Sequence, residues 1–100
     1  KGLHTHRRVL ESGDRIHGCS VHIVTPDLDA GPIIAQESVP VFSDDTEHSL
    51  ADRVLEKELL LYPEVVQSIA SHKITIENNR PYFNQYALFR PLLLGNLLRG

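Results

Sequence analysis

Residues 17–41 read His17-Gly18-Cys19-Ser20-Val21-His22-Ile23-Val24-Thr25-Pro26-Asp27-Leu28-Asp29-Ala30-Gly31-Pro32-Ile33-Ile34-Ala35-Gln36-Glu37-Ser38-Val39-Pro40-Val41. The β-branched residues Val21, Ile23, Val24 and Thr25 favour a strand from Gly18 to Thr25. Alternation puts Cys19, Val21 and Ile23 on one face and Ser20, His22 and Val24 on the other. Pro26 stops that strand because it has no N–H to give to a ladder. A loop bounded by Pro26 and Pro32, holding Gly31 and the aspartates Asp27 and Asp29, leads into a second strand over Ile33–Val41. Two strands joined in this way predict an antiparallel pair.

Both flanks read as helix, which makes the chain α/β. Upstream, Thr5 to Ser12 forms a short helix with Thr5 as N-cap and Gly13 as its stop. Downstream, Ser43-Asp44-Asp45-Thr46-Glu47 combines capping side chains with acids that suit a helix N-terminus. That helix is expected to run to about Ser71. With Leu50 at zero and ~100° per residue, Leu50, Val54, Leu61, Tyr62, Val65, Val66 and Ile69 fall within one half of the wheel. Pro63 deletes a backbone bond in its middle and is expected to kink or split it. A short strand follows at Ile74–Ile76. Residues 81–100 are mixed aromatic and leucine-rich and receive no assignment, which divides the chain into 1–80 and 81–100.

The 100 residues are 41% hydrophobic and 23% charged, the composition of one soluble domain or part of one. A net charge of −3 leaves no broad basic surface for nucleic acid, and no apolar run is long enough to span a membrane. The single cysteine, Cys19, cannot close an internal disulfide, which fits a cytoplasmic location. There is no methionine, and Lys1 opens inside what reads as mid-domain sequence. The chain is therefore expected to be the later part of a longer polypeptide.

Four sets of residues bear on chemistry. Asp27 and Asp29 sit in a loop whose ends are preset by proline. Turn formation is the simplest role for them, yet the loop leaves a strand end, where open α/β sheets place ligands. His22, seven residues before Asp29, is either a hydrogen-bonded strand residue or a proton-transfer group steadied by a carboxylate. His4, His6, His17 and His22 lack ligand-like spacing, so no metal is expected. Glu58 falls at about 80° on the wheel, near the centre of the apolar arc. A bare carboxylate there costs several kcal/mol, so it either pairs with an arginine or faces a ligand.

Three segments carry a family resemblance: Lys1-Gly2-Leu3-His4-Thr5-His6-Arg7, His17-Gly18-Cys19-Ser20-Val21-His22-Ile23-Val24-Thr25 and Leu28-Asp29-Ala30-Gly31-Pro32-Ile33-Ile34. Over about residues 1–78 the chain resembles the phosphoribosylglycinamide formyltransferases. The methionyl-tRNA formyltransferases share a similar Leu-Asp-x-Gly element without the Gly-Cys-Ser-Val-His-Ile-Val-Thr context, and stand second.

The resemblance implies the C-terminal part of a doubly wound, Rossmann-like sheet, with an antiparallel strand pair and a long C-terminal helix. It implies transfer of the formyl group of 10-formyltetrahydrofolate, as co-substrate, to the amine of N1-(5-phospho-D-ribosyl)glycinamide in purine (IMP) biosynthesis. It puts the catalytic aspartate on Asp29 and folate contacts on Thr25, Pro26, Asp27, Leu28 and Asp29. It puts ribonucleotide contacts on Leu55, Glu56, Lys57 and Glu58. His22 stands beside Asp29 as a candidate catalytic residue. The family's catalytic Asn and His and its phosphate-binding glycine loop would precede Lys1. Small-molecule substrates are thus the expected partners, without nucleic acid, membrane or metal, and a homodimer stays open. A catalytically incomplete version of the fold is the alternative from another functional class.

Overall fold

The computed structural model describes residues 5–22 and 31–100. Helix α1 spans Thr5–Ser12. It closes as the sequence predicts: Gly13 takes φ +76°, and its N–H and that of Asp14 return to the carbonyls of Leu10 and Val9. This is the left-handed C-terminal cap for which glycine, lacking Cβ, is suited.

Strand β1 (Ile16–His22) pairs antiparallel with β2 (Ile33–Pro40), in a register that sets Cys19 opposite Glu37 and Gly18 opposite Ser38. A Cβ on Gly18 would strike the Glu37 carbonyl, so only glycine lets the two strands approach here. The pairing starts two residues earlier than the β-branched run suggests. Its register shifts between Val21 and His22, a bulge that re-aims the histidine. The residues expected to end the first strand, Ile23 to Thr25, lie outside the described residues.

Helix α2 runs unbroken over Glu47–Ala70. Thr46 Oγ1 accepts from the Ser49 N–H at 3.1 Å while Ser49 Oγ accepts from the Thr46 N–H at 3.0 Å, a reciprocal cap. Pro63 does not split the helix. The Leu59 carbonyl that it leaves without a donor belongs to a residue 66% exposed, where water can serve it. At the other end His72 adopts φ +64°, and the N–H groups of His72 and Lys73 return to the carbonyls of Ile69 and Ser68.

The last thirty residues are ordered too. Strands β3 (Ile74–Glu77), β4 (Arg80–Phe83) and β5 (Tyr86–Ala87) form an antiparallel sheet, and helix α3 covers Leu94–Arg99. Each hairpin turns on two positive-φ residues, Asn78-Asn79 and Asn84-Gln85. Such primed turns match the twist of the flanking strands, and asparagine tolerates their left-handed backbone. A parallel bridge ties Leu92 to Ala35: Gln36 N–H donates to the Leu92 carbonyl and Leu92 N–H to that of Ile34. The core gathers Ile34, Ala35 and Val39 of β2 with Leu50, Val54, Leu61 and Val65 of α2, capped by Ile74, Leu92 and Leu97. One face of α2 therefore lies on the β1–β2 pair.

Candidate functional site

His22 ends β1 opposite Ile33, directly beyond the bulge. Its Nδ1 is enclosed and has no hydrogen-bond partner among the described residues. An enclosed imidazole nitrogen in that state costs free energy unless a group from outside meets it. The proline-bounded loop that β1 feeds lies outside the described residues, and with it Thr25, Pro26, Asp27, Leu28 and Asp29.

The second expected segment lies in the middle of α2. Leu55 and Glu56 are exposed, whereas Lys57 and Glu58 are half-buried. The buried line of the helix is Leu50, Val54, Leu61, Val65 and Ser68. Glu58 sits beside this line rather than at the centre of the apolar arc, because Tyr62, Val66 and Ile69 are exposed. Among the described residues no arginine pairs with it; the Tyr62 hydroxyl donates to its Oε2 at 3.2 Å. Burial pushes the Tyr62 phenol up, and the Glu58 carboxylate adds to the shift. The Cys19 thiol on β1 is likewise raised, first by burial and then by Glu58. A carboxylate held by one neutral donor keeps lone pairs for a hydroxyl or amine ligand.

Glu37, which sequence reasoning passed over, connects three elements. Its Oε1 lies 3.7 Å from Lys57 Nζ, and its Oε2 accepts the Leu94 N–H at 2.8 Å, at the start of α3. Glu37 shares the inward face of β2 with the buried Ala35 and Val39, so alternation marks it as an acid on an apolar face, although nothing local names a partner 57 residues away. A cleft of about 430 Å³ runs beside it, lined by His17 to Ser20, Gln36 to Ser38 and Leu93. At one end His6 Nδ1 and His17 Nε2 stand 3.1 Å apart with their rings edge-on. Burial, and then the neighbouring His6, lower the His17 pKa below the usual imidazole value. Among the described residues no three His, Cys, Asp or Glu side chains converge as metal ligands would.

Residues 1–66 match the formyl transferase family. The chain belongs to that family. This formyl transferase chain is 45% identical over 83 residues to the phosphoribosylglycinamide formyltransferase of Escherichia coli, a match covering 83% of the chain and 39% of the relative. It is 45% identical over 76 residues to the trifunctional purine biosynthetic protein adenosine-3 of Gallus gallus, covering 76% of the chain and 8% of that protein. The solved phosphoribosylglycinamide formyltransferase of Coxiella burnetii superposes with a TM-score of 0.83 at 39% identity, over 92% of this chain and 44% of its own. The chain thus spans about two fifths of the length of its bacterial relatives. Its mixed α/β arrangement is shared with these Rossmann-like formyltransferases. No helix among the described residues of this formyl transferase is long and apolar enough to cross a membrane.

Proposed function

We propose that the chain serves the transfer of a formyl group from 10-formyltetrahydrofolate to the amine of N1-(5-phospho-D-ribosyl)glycinamide, a cytoplasmic step of purine synthesis. One observation carries this reading: the family match spans residues 1–66, and with them the 25–29 loop and residues 55–58 of α2 that we assign to the two substrates. The relatives' name supplies the acceptor, phosphoribosylglycinamide, and the family resemblance implies the formyl-folate donor.

In the reaction the amine nitrogen attacks the formyl carbon and gives a tetrahedral oxyanion. The bond from that carbon to the folate nitrogen then breaks, and the proton lost by the amine goes to the departing nitrogen. Such a step needs donors for the oxyanion and a group to carry the proton. Asp29 is assigned the carboxylate that stabilises a protonated imidazole and orients a bridging water. His22, with its enclosed and unpartnered Nδ1, is assigned to the same proton path. The backbone of Thr25–Asp29 grips the pterin, since Pro26 and Leu28 offer no polar side chain. Glu58, steadied by Tyr62, accepts from the hydroxyl or amine groups of the ribonucleotide, with Leu55, Glu56 and Lys57 around it.

The test is a chimera in which residues 1–80 replace the matching segment of the Escherichia coli relative. It should restore growth without purines to a strain lacking that enzyme and form tetrahydrofolate from both substrates. A folded chimera that transfers no formyl group, or that formylates methionyl-tRNA instead, overturns the assignment.

A further inference from the structure

We propose that the cleft between the start of β2 and the β3–β4 hairpin binds a small polyanion, a molecule that presents phosphate or carboxylate groups to Arg80 and Arg90. The proposal does not rest on the transfer reaction, and its test does not use it.

The first observation is in the sequence. All thirteen Asp and Glu residues lie at or before Glu77, whereas residues 78–100 hold Arg80, Arg90 and Arg99 and no acid. A chain of net charge −3 therefore ends in a segment whose side chains are only positive or neutral. Such an asymmetry directs attention to an anionic partner.

The second observation is where two of these arginines stand. A cleft of about 550 Å³ is lined by Ile33, Asn79, Arg80, Pro81, Phe89 and Arg90 among others, and no acidic side chain lines it. Its volume suits a small molecule. Its walls are tied together through the backbone. The Leu88 N–H donates to the Pro81 carbonyl at 3.0 Å, and the bridge at Leu92 fastens the following residues to β2. A site formed in advance loses little binding energy to ordering.

The third observation names the ligand chemistry. The Arg53 guanidinium lies 4.5 Å from the centroid of the Phe42 ring and engages both oxygens of the Asp45 carboxylate. Arg80 repeats the first half of that arrangement, 4.7 Å from the centroid of the Phe89 ring. No protein carboxylate completes it. Among the described residues no acid forms an ion pair with Arg80 or Arg90, not even Glu77, which stands opposite Arg80 in the β3–β4 register. Phe89 is 87% exposed, so its ring serves as a platform for the guanidinium and not as core. A stacked guanidinium keeps its in-plane N–H fork for a bidentate phosphate or carboxylate. Arg90 supplies a second cation, which favours ligands with more than one negative charge.

The experiment titrates the full chain with pyrophosphate and, separately, with citrate, by calorimetry at ~0.15 M ionic strength, where diffuse surface attraction is screened. At least one of them should bind one-to-one and shift the amide resonances of Ile33, Asn79, Arg80 and Phe89. The tighter binder shows whether phosphate or carboxylate is the preferred group. Arg80→Gln and Arg90→Gln should each weaken that binding about tenfold or more, the scale of a lost charge-assisted hydrogen bond. Arg80→Lys should weaken it too, because an ammonium lacks the fork. Arg99→Gln, outside the cleft, should leave it unchanged. All three arginines are exposed, so circular dichroism should stay that of the wild type. Saturable binding of neither anion, with or without capture of a single-stranded oligonucleotide, overturns the proposal. So does an equal loss with Arg99→Gln and Arg80→Gln, which would mean attraction to net charge alone.

Discussion

Arg53 and Asp45 form a two-pronged ion pair, Nη1 to Oδ2 and Nη2 to Oδ1, both at 2.8 Å. The pair fastens α2 to the turn that immediately precedes its cap. Arg53 also donates to the Pro40 carbonyl at 2.9 Å and lies 4.5 Å from the centroid of the Phe42 ring. Asp45 further accepts from the Phe42 N–H and the Ser49 hydroxyl, and its side chain is only 3% exposed. The Arg53 guanidinium, with these donors, holds its carboxyl well below the usual carboxylate range.

Asp45→Asn should therefore lower the melting temperature at neutral pH. A carboxyl whose folded pKa is depressed adds stability above its unfolded pKa of about 3.9 and loses it as pH falls through the folded value. The gap between wild type and variant should thus be full at pH 6–7 and shrink steadily below about pH 4. A gap that stays constant down to the acid limit would show that Asp45 acts through shape alone.

Gly18→Ala should destabilise the strand pair, because the new methyl meets the Glu37 carbonyl, and that carbonyl is backbone that cannot swing aside. Overpacking of this kind costs about 1–3 kcal/mol. For a domain of this size each kcal/mol lowers the melting temperature by ~4–8 °C. Calorimetry that finds an unchanged transition would mean that β1 and β2 separate more easily than their register implies.

Asp29→Asn, made in the active chimera, should reduce formyl transfer by about 10²–10⁴-fold, the usual scale of a lost acid–base group. The fold should be kept, since the amide preserves the shape of the carboxylate. Near-normal turnover would remove Asp29 from the proton path.

Glu58→Gln separates two roles. Removing one member of a buried ion pair costs about 3–5 kcal/mol, but the partner of Glu58 is the Tyr62 hydroxyl, and glutamine keeps an acceptor for it. The variant should melt close to wild type while ribonucleotide affinity falls about tenfold, ~1.4 kcal/mol, with folate affinity spared. Tyr62 supplies an internal control. With the neighbouring charge gone, its raised phenol pKa should drop, which an ultraviolet titration can follow. A sharp fall in melting temperature with unchanged ribonucleotide binding would make Glu58 structural.

Local signals were legible wherever one residue type settles one backbone geometry. The close of α1 at Gly13, the start of β2 at Ile33, the capping stretch 43–47 and the strand opening at Ile74 could all be read in this way. The hairpins of residues 74–87 were missed because Asn-Asn and Asn-Gln replace the more familiar Asn-Gly at their positive-φ turns. Pro63 was over-read: a proline at an exposed position removes one bond without ending a helix that tertiary packing holds. For the site, the wheel sets Glu58 at the centre of an apolar arc, whereas the structure sets it beside the buried line, with a phenol partner that the wheel does not show. Glu37 has a local sign in its alternation with the buried Ala35 and Val39, but its links to Lys57 and Leu94 depend on how distant segments meet.

Those links of Glu37 make the end of the chain part of the behaviour of its middle. One side chain touches the lysine beside Glu58 and caps the N-terminus of α3, while its own backbone pairs with Cys19. If α3 lifts away, the carboxylate loses its amide donor and its hold on Lys57 loosens as well. Fraying at the C-terminus is thereby felt by the Lys57 side chain, through an ion pair worth about 0–1 kcal/mol. The position of the Lys57 ammonium, beside the residues assigned to the ribonucleotide, thus depends on residues 94–99, almost forty positions further along the chain, while the helix itself stays held by Val54 and Leu61.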